Sequence, residues 1–333
     1  MSTTPSAERT AAPASRPGDT HPWLRRLLII NLVCQVGIIV TGGLVRLTGS
    51  GLGCPTWPQC VPGSYVPTVE QEEGIHKLIE FGNRTLTGVL GVVALALIWA
   101  LYRWARERRD LQLGAWGILA GVAAQAIVGG ITVLTGLNPW IVAFHFLCSA
   151  ALVAVATWLI FREREPAGRR EVIVHPLVHQ AGLAVCVLAG VVLVLGTIVT
   201  GSGPHSGDAD TPARTGLDPR AMSWLHADTV MLFAGLVIAV WIGARISGRT
   251  EVPGQAWGWV VAVTAAQGLV GYTQYFLDLP EVLVLAHMLL ASLLVVTITR
   301  AMVLSRRSVS SDLAAAGGAA GRSRRRGRAA TRT

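Results

Sequence analysis

Charge is what this 333-residue chain has least of. Only 14% of its residues are charged, against 52% hydrophobic, where a soluble domain carries about 25% charged residues. A shortage of that size excludes a soluble globular protein and, with a mean hydropathy of +0.52, indicates a polytopic membrane protein. Carboxylates are the scarcer sign, 19 against 28 Lys and Arg. No pair of Asp-rich magnesium motifs is present: "GDAD" at 207–210 stands alone, which excludes a prenyltransferase. The apolar runs also lack the Gly/Pro interruptions of a transporter's midplane site. No cleavable signal peptide is evident, because the first apolar run is of full membrane length and starts late.

What is there is a series of eight apolar stretches of spanning length, at about 27–47, 80–101, 112–134, 140–161, 178–200, 222–244, 256–277 and 281–303. The net charge of +9 would suit nucleic acid if it were clustered on a fold. Its placement says otherwise. With the N-terminus in the cytoplasm, 23 of the 28 basic residues fall in cytoplasmic segments, and only Arg46, Lys77, Arg84, Arg214 and Arg220 lie at the outer side. This positive-inside pattern places both termini in the cytoplasm. Residues 1–26 read as a disordered leader and 304–333 as a disordered basic tail attracted to anionic membrane lipids. Nucleic acid is not expected as a partner.

The chain has five cysteines. Cys34, Cys148 and Cys186 fall inside apolar runs and read as packing residues. Cys54 and Cys60 flank "PTWPQ" in the first outer loop, on an oxidising side of the membrane. A short-loop disulfide is the expectation there. Two free thiols or a metal pair are the alternatives.

The sequence also repeats. "AAQAIVGGITVLTGLNPWIVAFHFLCSAALVA" (123–154) runs without a gap alongside "AAQGLVGYTQYFLDLPEVLVLAHMLLASLLVV" (265–296). Gln125 matches Gln267 and His145 matches His287, both 142 residues apart. Upstream, "GGLVRLTGSGLGCP" (42–55) resembles "VLGTIVTGSGPHSG" (194–207). Two related halves follow, 27–161 and 177–303, joined by a linker at 162–176. Four spans per half give both halves the same orientation in the membrane. The expected fold is thus an all-α polytopic membrane protein of eight transmembrane helices, arranged as two pseudo-symmetric four-helix bundles, each with its own core site.

His145, His226 and His287 stand early in the fourth, sixth and eighth spans. A lone membrane histidine is more often a packing residue than a ligand. Recurrence at one place in two repeats changes the weighing. His226 and His287, on different helices at similar depth, offer the two imidazoles of a bis-histidine heme. Aligning "LIEFGNRTLTG" (78–88) with "AMSWLHADTVM" (221–231) puts Asn83 where His226 stands, and Glu80 opposite Ser223.

Taken in order along a duplicated chain, "GGLVRLTGSGLGCP", the two loop cysteines, "IEFGNR", "TGSGPHSGD", "WLHADT" and the His145–His287 pair resemble the heme A synthase family. The resemblance covers about residues 27–303. It implies an enzyme of the cell membrane that oxidises the C8 methyl group of heme O to the formyl group of heme A. It implies heme b between His226 and His287 in the second half, and a substrate heme in the first half on His145. It implies Glu80 as the catalytic carboxylate and Cys54–Cys60 as the loop disulfide. Heme O synthase, terminal oxidase assembly components and an electron-transfer partner the sequence does not name complete the implied partners. The family pattern E-x-x-H-R becomes Glu80-Phe81-Gly82-Asn83-Arg84 here. The iron's sixth position is therefore open, or taken by Asn83, water or His76. Arg46 and Arg84 are candidates for heme propionates, with headgroup contact as the alternative. His205 either covers the second heme or is a solvated loop residue. Gln125 and Gln267 are read as helix–helix hydrogen-bonding groups. The rival function is a non-catalytic di-heme carrier of the cytochrome b type. It would need no carboxylate in one half only.

Overall fold

The computed structural model describes residues 21–69, 74–208 and 212–308. The leader up to residue 20 and the basic tail from residue 309 lie outside the described residues. Eight helices are present among the described residues: α1 Pro22–Leu47, α2 His76–Trp104, α3 Arg109–Leu134, α4 Pro139–Glu163, α5 Pro176–Ser202, α6 Pro219–Ser247, α7 Glu251–Phe276 and α8 Glu281–Leu304. Seven are long and apolar enough to cross a membrane, so the chain is a multi-pass membrane protein. The exception is α7. Its 26 residues suffice in length, but Gln255, Gln267, Gln274 and several Thr, Tyr and Gly dilute its apolar character.

Local chemistry explains where the helices begin. Proline stands in the first turn of α1, α4, α5 and α6, where its missing N–H costs nothing. Asn138 caps α4 by accepting from the Trp140 N–H, and Asp218 caps α6 by accepting from Arg220 and Ala221. Residues 22–26, read with the disordered leader, instead open α1, and His21 immediately precedes it and stacks on Trp104 at 3.9 Å.

The α3–α4 and α7–α8 connections share one backbone design. Gly136 and Leu137 both adopt positive φ, and so do Asp278 and Leu279. The Leu137 N–H donates to Thr132 O and the Leu279 N–H to Gln274 O, each at 2.8 Å. The 142-residue offset of the repeat thus holds for the turn as well as for the side chains.

Helix α1 packs on α2 and α4, and α3 joins α2 to α4; α5 packs on α6 and α8, and α7 joins α6 to α8. Contacts of α8 with α1 and α4, and of α4 with α5, join the two groups. Each group has its own apolar core. One is built on Leu24, Leu28, Leu97, Leu101, Leu111, Ile118 and Leu159, the other on Val185, Phe233, Val237, Trp257, Val260 and Ile298. Both cores lie toward the same end: the starts of α1, α3, α5 and α7 and the finishes of α2, α4, α6 and α8. At the opposite end the side chains are not packed shut. Residues 219–232 of α6, 265–276 of α7 and 281–290 of α8 include no buried side chain, and Glu80 is the single one in 76–89 of α2.

At the packed end the charges knit together. Arg162 and Glu163 are buried. Arg162 pairs with Asp110 at 3.1 Å, Arg170 with Glu165 at 2.9 Å and Arg25 with Glu163 at 3.3 Å. Two three-residue strands, β1 Arg170–Val172 and β2 Arg306–Ser308, pair antiparallel there. They tie the segment read as a linker to the start of the segment read as a tail.

Candidate functional site

At the open end, the loop after α1 folds over the start of α2. Cys54 and Cys60 are both buried and form a disulfide. Trp57, inside that loop, lies against Gly130 of α3. The loop is anchored by Glu80 and Arg84, one turn apart on α2. Glu80 is only 5% exposed. Its Oε2 accepts the Cys54 N–H at 2.6 Å, and its Oε1 accepts from Arg84 Nε at 2.9 Å. Arg84 also donates to the carbonyls of Thr56 and Cys54. The carboxylate expected to act is therefore a fixed, ion-paired group at the junction of loop and helix.

The two candidate propionate arginines already have partners. Arg84 is committed to Glu80 and the loop. Arg46 donates through Nε to His205 O at 2.6 Å and through Nη2 to Thr200 O at 2.9 Å. It joins the end of α1 to the end of α5. Beside it the Gly51 N–H donates to Gly207 O at 2.9 Å, and Ser50 bridges Asp208. The "TGSG" segment at 48–51 therefore interlocks with residues 207–208, just past its relative at 200–203. His205 contributes its carbonyl to this seam.

The three intramembrane histidines are set alike. Each has a buried Nδ1 with no hydrogen-bond partner. Each ring lies over a glycine of a neighbouring helix. A Cβ at Gly129 of α3 would stand 3.3 Å from His145, one at Gly196 of α5 3.3 Å from His226, and one at Gly271 of α7 3.1 Å from His287. Gln125 donates to His145 O at 2.8 Å and Gln267 to His287 O at 3.1 Å. A glutamine on one helix thus grips the histidine's own carbonyl on the next, and the glycine clears room for its ring.

Asn83 and His76 part company. Asn83 Oδ1 accepts from the Thr41 hydroxyl at 2.7 Å, and its Nδ2 lies 4.0 Å from where Gly42 would carry a Cβ. His76 is the first residue of α2, with Nδ1 bonded to Ser50 Oγ at 2.8 Å. His175 caps α5 and His179 lies a turn on, both at the packed end, at the opposite end of the helices from His145, His226 and His287.

Sequence reasoning missed Thr41 as the partner of Asn83, and missed the clearing glycines. Gly129 and Gly271 do stand at matching places in the repeat, so a signal for them existed. Among the described residues no group of three His, Cys, Asp or Glu could hold a bare metal ion.

Heme suits this arrangement. Imidazoles with an uncommitted nitrogen, set over glycines at helix ends with few buried side chains, are what a flat tetrapyrrole requires. Fold and site together define a class: multi-pass helical membrane proteins whose open helix ends hold half-buried histidines, each with a buried Nδ1 that has no hydrogen-bond partner. The sequence comparisons narrow it. The family described as cytochrome oxidase assembly protein (COX15-CtaA) matches residues 25–299, and the chain belongs to that family. Proteins named heme A synthase from Bacillus mycoides and Bacillus cereus are similar to it, at 26% and 28% identity. The alignments cover 86% of this chain and 94% of each relative. One of the same name from Bacillus anthracis is likewise 28% identical.

Proposed function

We propose that this chain is a heme A synthase, taking heme O and oxidising its C8 methyl group to the formyl group of heme A for terminal oxidase assembly. In this reading all eight helices span the membrane as two pseudo-symmetric four-helix bundles. Both termini face the cytoplasm, so the open ends lie at the outer side. His226 and His287 hold heme b as a resident electron-transfer cofactor. His145 holds the substrate heme. The observation that carries the reading is the asymmetry of carboxylates. Matched histidine sites occur in both halves, but a buried glutamate stands beside only the first; its counterpart Ser223 merely returns its hydroxyl to Pro219 O. A di-heme carrier gives no reason for that difference, and the family does not favour one.

The bound heme supplies the redox chemistry. A methyl C–H is far too weak an acid for Glu80 to deprotonate unaided. Its carboxylate acts once the methyl group is activated, by accepting the proton, steadying developing positive charge or placing a water. Arg84 and the Cys54 N–H hold the carboxylate to one position. The disulfide-tied loop, with Trp57 on α3, covers the first bundle and limits water there. The guanidinium groups of Arg46 and Arg84 hold carbonyls here, so either would bind a propionate only by exchanging those bonds.

Co-expression with a heme O source, followed by heme extraction and mass analysis, tests the proposal. Heme A is the expected product. Recovery of only heme O and heme b would leave the chain a carrier.

A further inference from the structure

Resting on the heme reading above, we infer that the first bundle holds its iron through His145 alone, and that Asn83 is a hydrogen-bond donor to a small exchangeable ligand on the opposite side. Asn83 occupies on α2 the place that His226 occupies on α6. Its Nδ2 lies 4.0 Å from where Gly42 of α1 would carry a Cβ. The side chains differ in what they can offer. An amide nitrogen has no lone pair to give to iron, and Asn83 Oδ1 is turned to the Thr41 hydroxyl, 2.7 Å away. That bond fixes which way the amide points. Its two N–H groups are directed away from Thr41, past the bare face of Gly42. The same place in the second half has Leu193 where Thr41 stands, so the tether and the amide occur together in one half only. His76 does not replace the missing imidazole. It is held by Ser50 and lies seven residues nearer the helix start, about 10 Å along the axis. Hydrogen-bond donors and steric access beside a heme decide whether it carries electrons or admits ligands. By this reasoning the second site is closed by two imidazoles, and the first is open and polar.

The test uses the full-length chain purified after co-expression with a heme O source, with ferric EPR and azide titration as readouts. One low-spin, azide-insensitive heme is expected, lost in His226→Ala or His287→Ala. One high-spin, azide-binding heme is expected, lost in His145→Ala. Asn83→His should convert the high-spin signal to low-spin and lower azide affinity at least about tenfold. Asn83→Leu and Thr41→Val should keep the high-spin signal and weaken azide about threefold to tenfold, the worth of one hydrogen bond. Two low-spin, azide-insensitive hemes would overturn the inference and leave the heme reading standing, and His76→Ala would then show whether His76 is the ligand. Unchanged azide affinity in both Asn83→Leu and Thr41→Val would remove the donor role. A chain binding only the heme on His226 and His287 would overturn the first-site heme reading together with the inference.

Discussion

The two halves use one scaffold for different surroundings. In each, a glutamine grips the carbonyl of a histidine (Gln125 on His145, Gln267 on His287), a glycine clears the ring, and the same positive-φ turn precedes the histidine helix. Around that shared frame the first half adds a disulfide loop, a Glu80–Arg84 pair and a Thr41–Asn83 pair. The second half puts His226 at the place of Asn83 and a serine at the place of Glu80. Duplication thus conserved the parts that position an imidazole and varied the parts that face it. A histidine pair makes a closed site suited to carrying electrons. A carboxylate and an amide make a site suited to changing its occupant.

The comparison breaks most sharply at the second histidine pair. His226→Ala or His287→Ala should abolish the low-spin heme b spectrum outright, while His145→Ala should leave it. Absorption spectra of the purified variants check this, and a heme b signal surviving both changes would move the cofactor elsewhere. Next in size is Glu80→Gln. It should keep the heme b spectrum and lower heme A formation by more than about 100-fold, the usual scale for losing a positioned acid or base. Ser223→Ala, its counterpart, should alter neither. Normal heme A in Glu80→Gln would reduce the glutamate to an anchor for the loop.

The loop itself can be tested through Cys54→Ser. A tie across six residues restrains the unfolded chain by about 2 kcal/mol in the chain-entropy account. The variant should melt earlier in detergent, and the loss should be confined to the first half: the heme b spectrum should persist at temperatures where heme A formation has already failed. Simultaneous loss of both would mean that the loop also holds the seam through Gly51 and Gly207.

Much of this was legible in the sequence, because the signals were long-range and redundant. Apolar runs gave the helices, the gapless repeat gave the matched histidines and glutamines, and the asymmetry of Glu80 against Ser223 marked the first half. The rest was hidden for physical reasons. Strands β1 and β2 are three residues each, too short for any alternation to show, and they depend on the linker meeting the end of α8. An arginine at a helix end looks the same whether it binds a propionate, a headgroup or, as Arg46 does, two carbonyls across the seam. Thr41 is one hydroxyl in an apolar run, and only the approach of α2 gives it a partner. Residues 306–308 read as tail because their charge is visible and their backbone pairing is not.

The smallest expected effect concerns the shared frame. Intramembrane hydrogen bonds contribute about 0.6 kcal/mol on average, so Gln267→Leu should shift heme b binding by only about threefold. Gln125 has a second partner, Ser149 Oγ, whereas the position matching Ser149 is Ala291 and Gln267 Oε1 is buried without a partner. Gln125→Leu should therefore be the more costly of the two, and Ser149→Ala should narrow the gap. Replacing Gln267 relieves one unpaired oxygen while removing one bond, so the two terms offset. Heme affinity measured across the three variants would show whether the halves share the grip equally or whether the first half relies on it more.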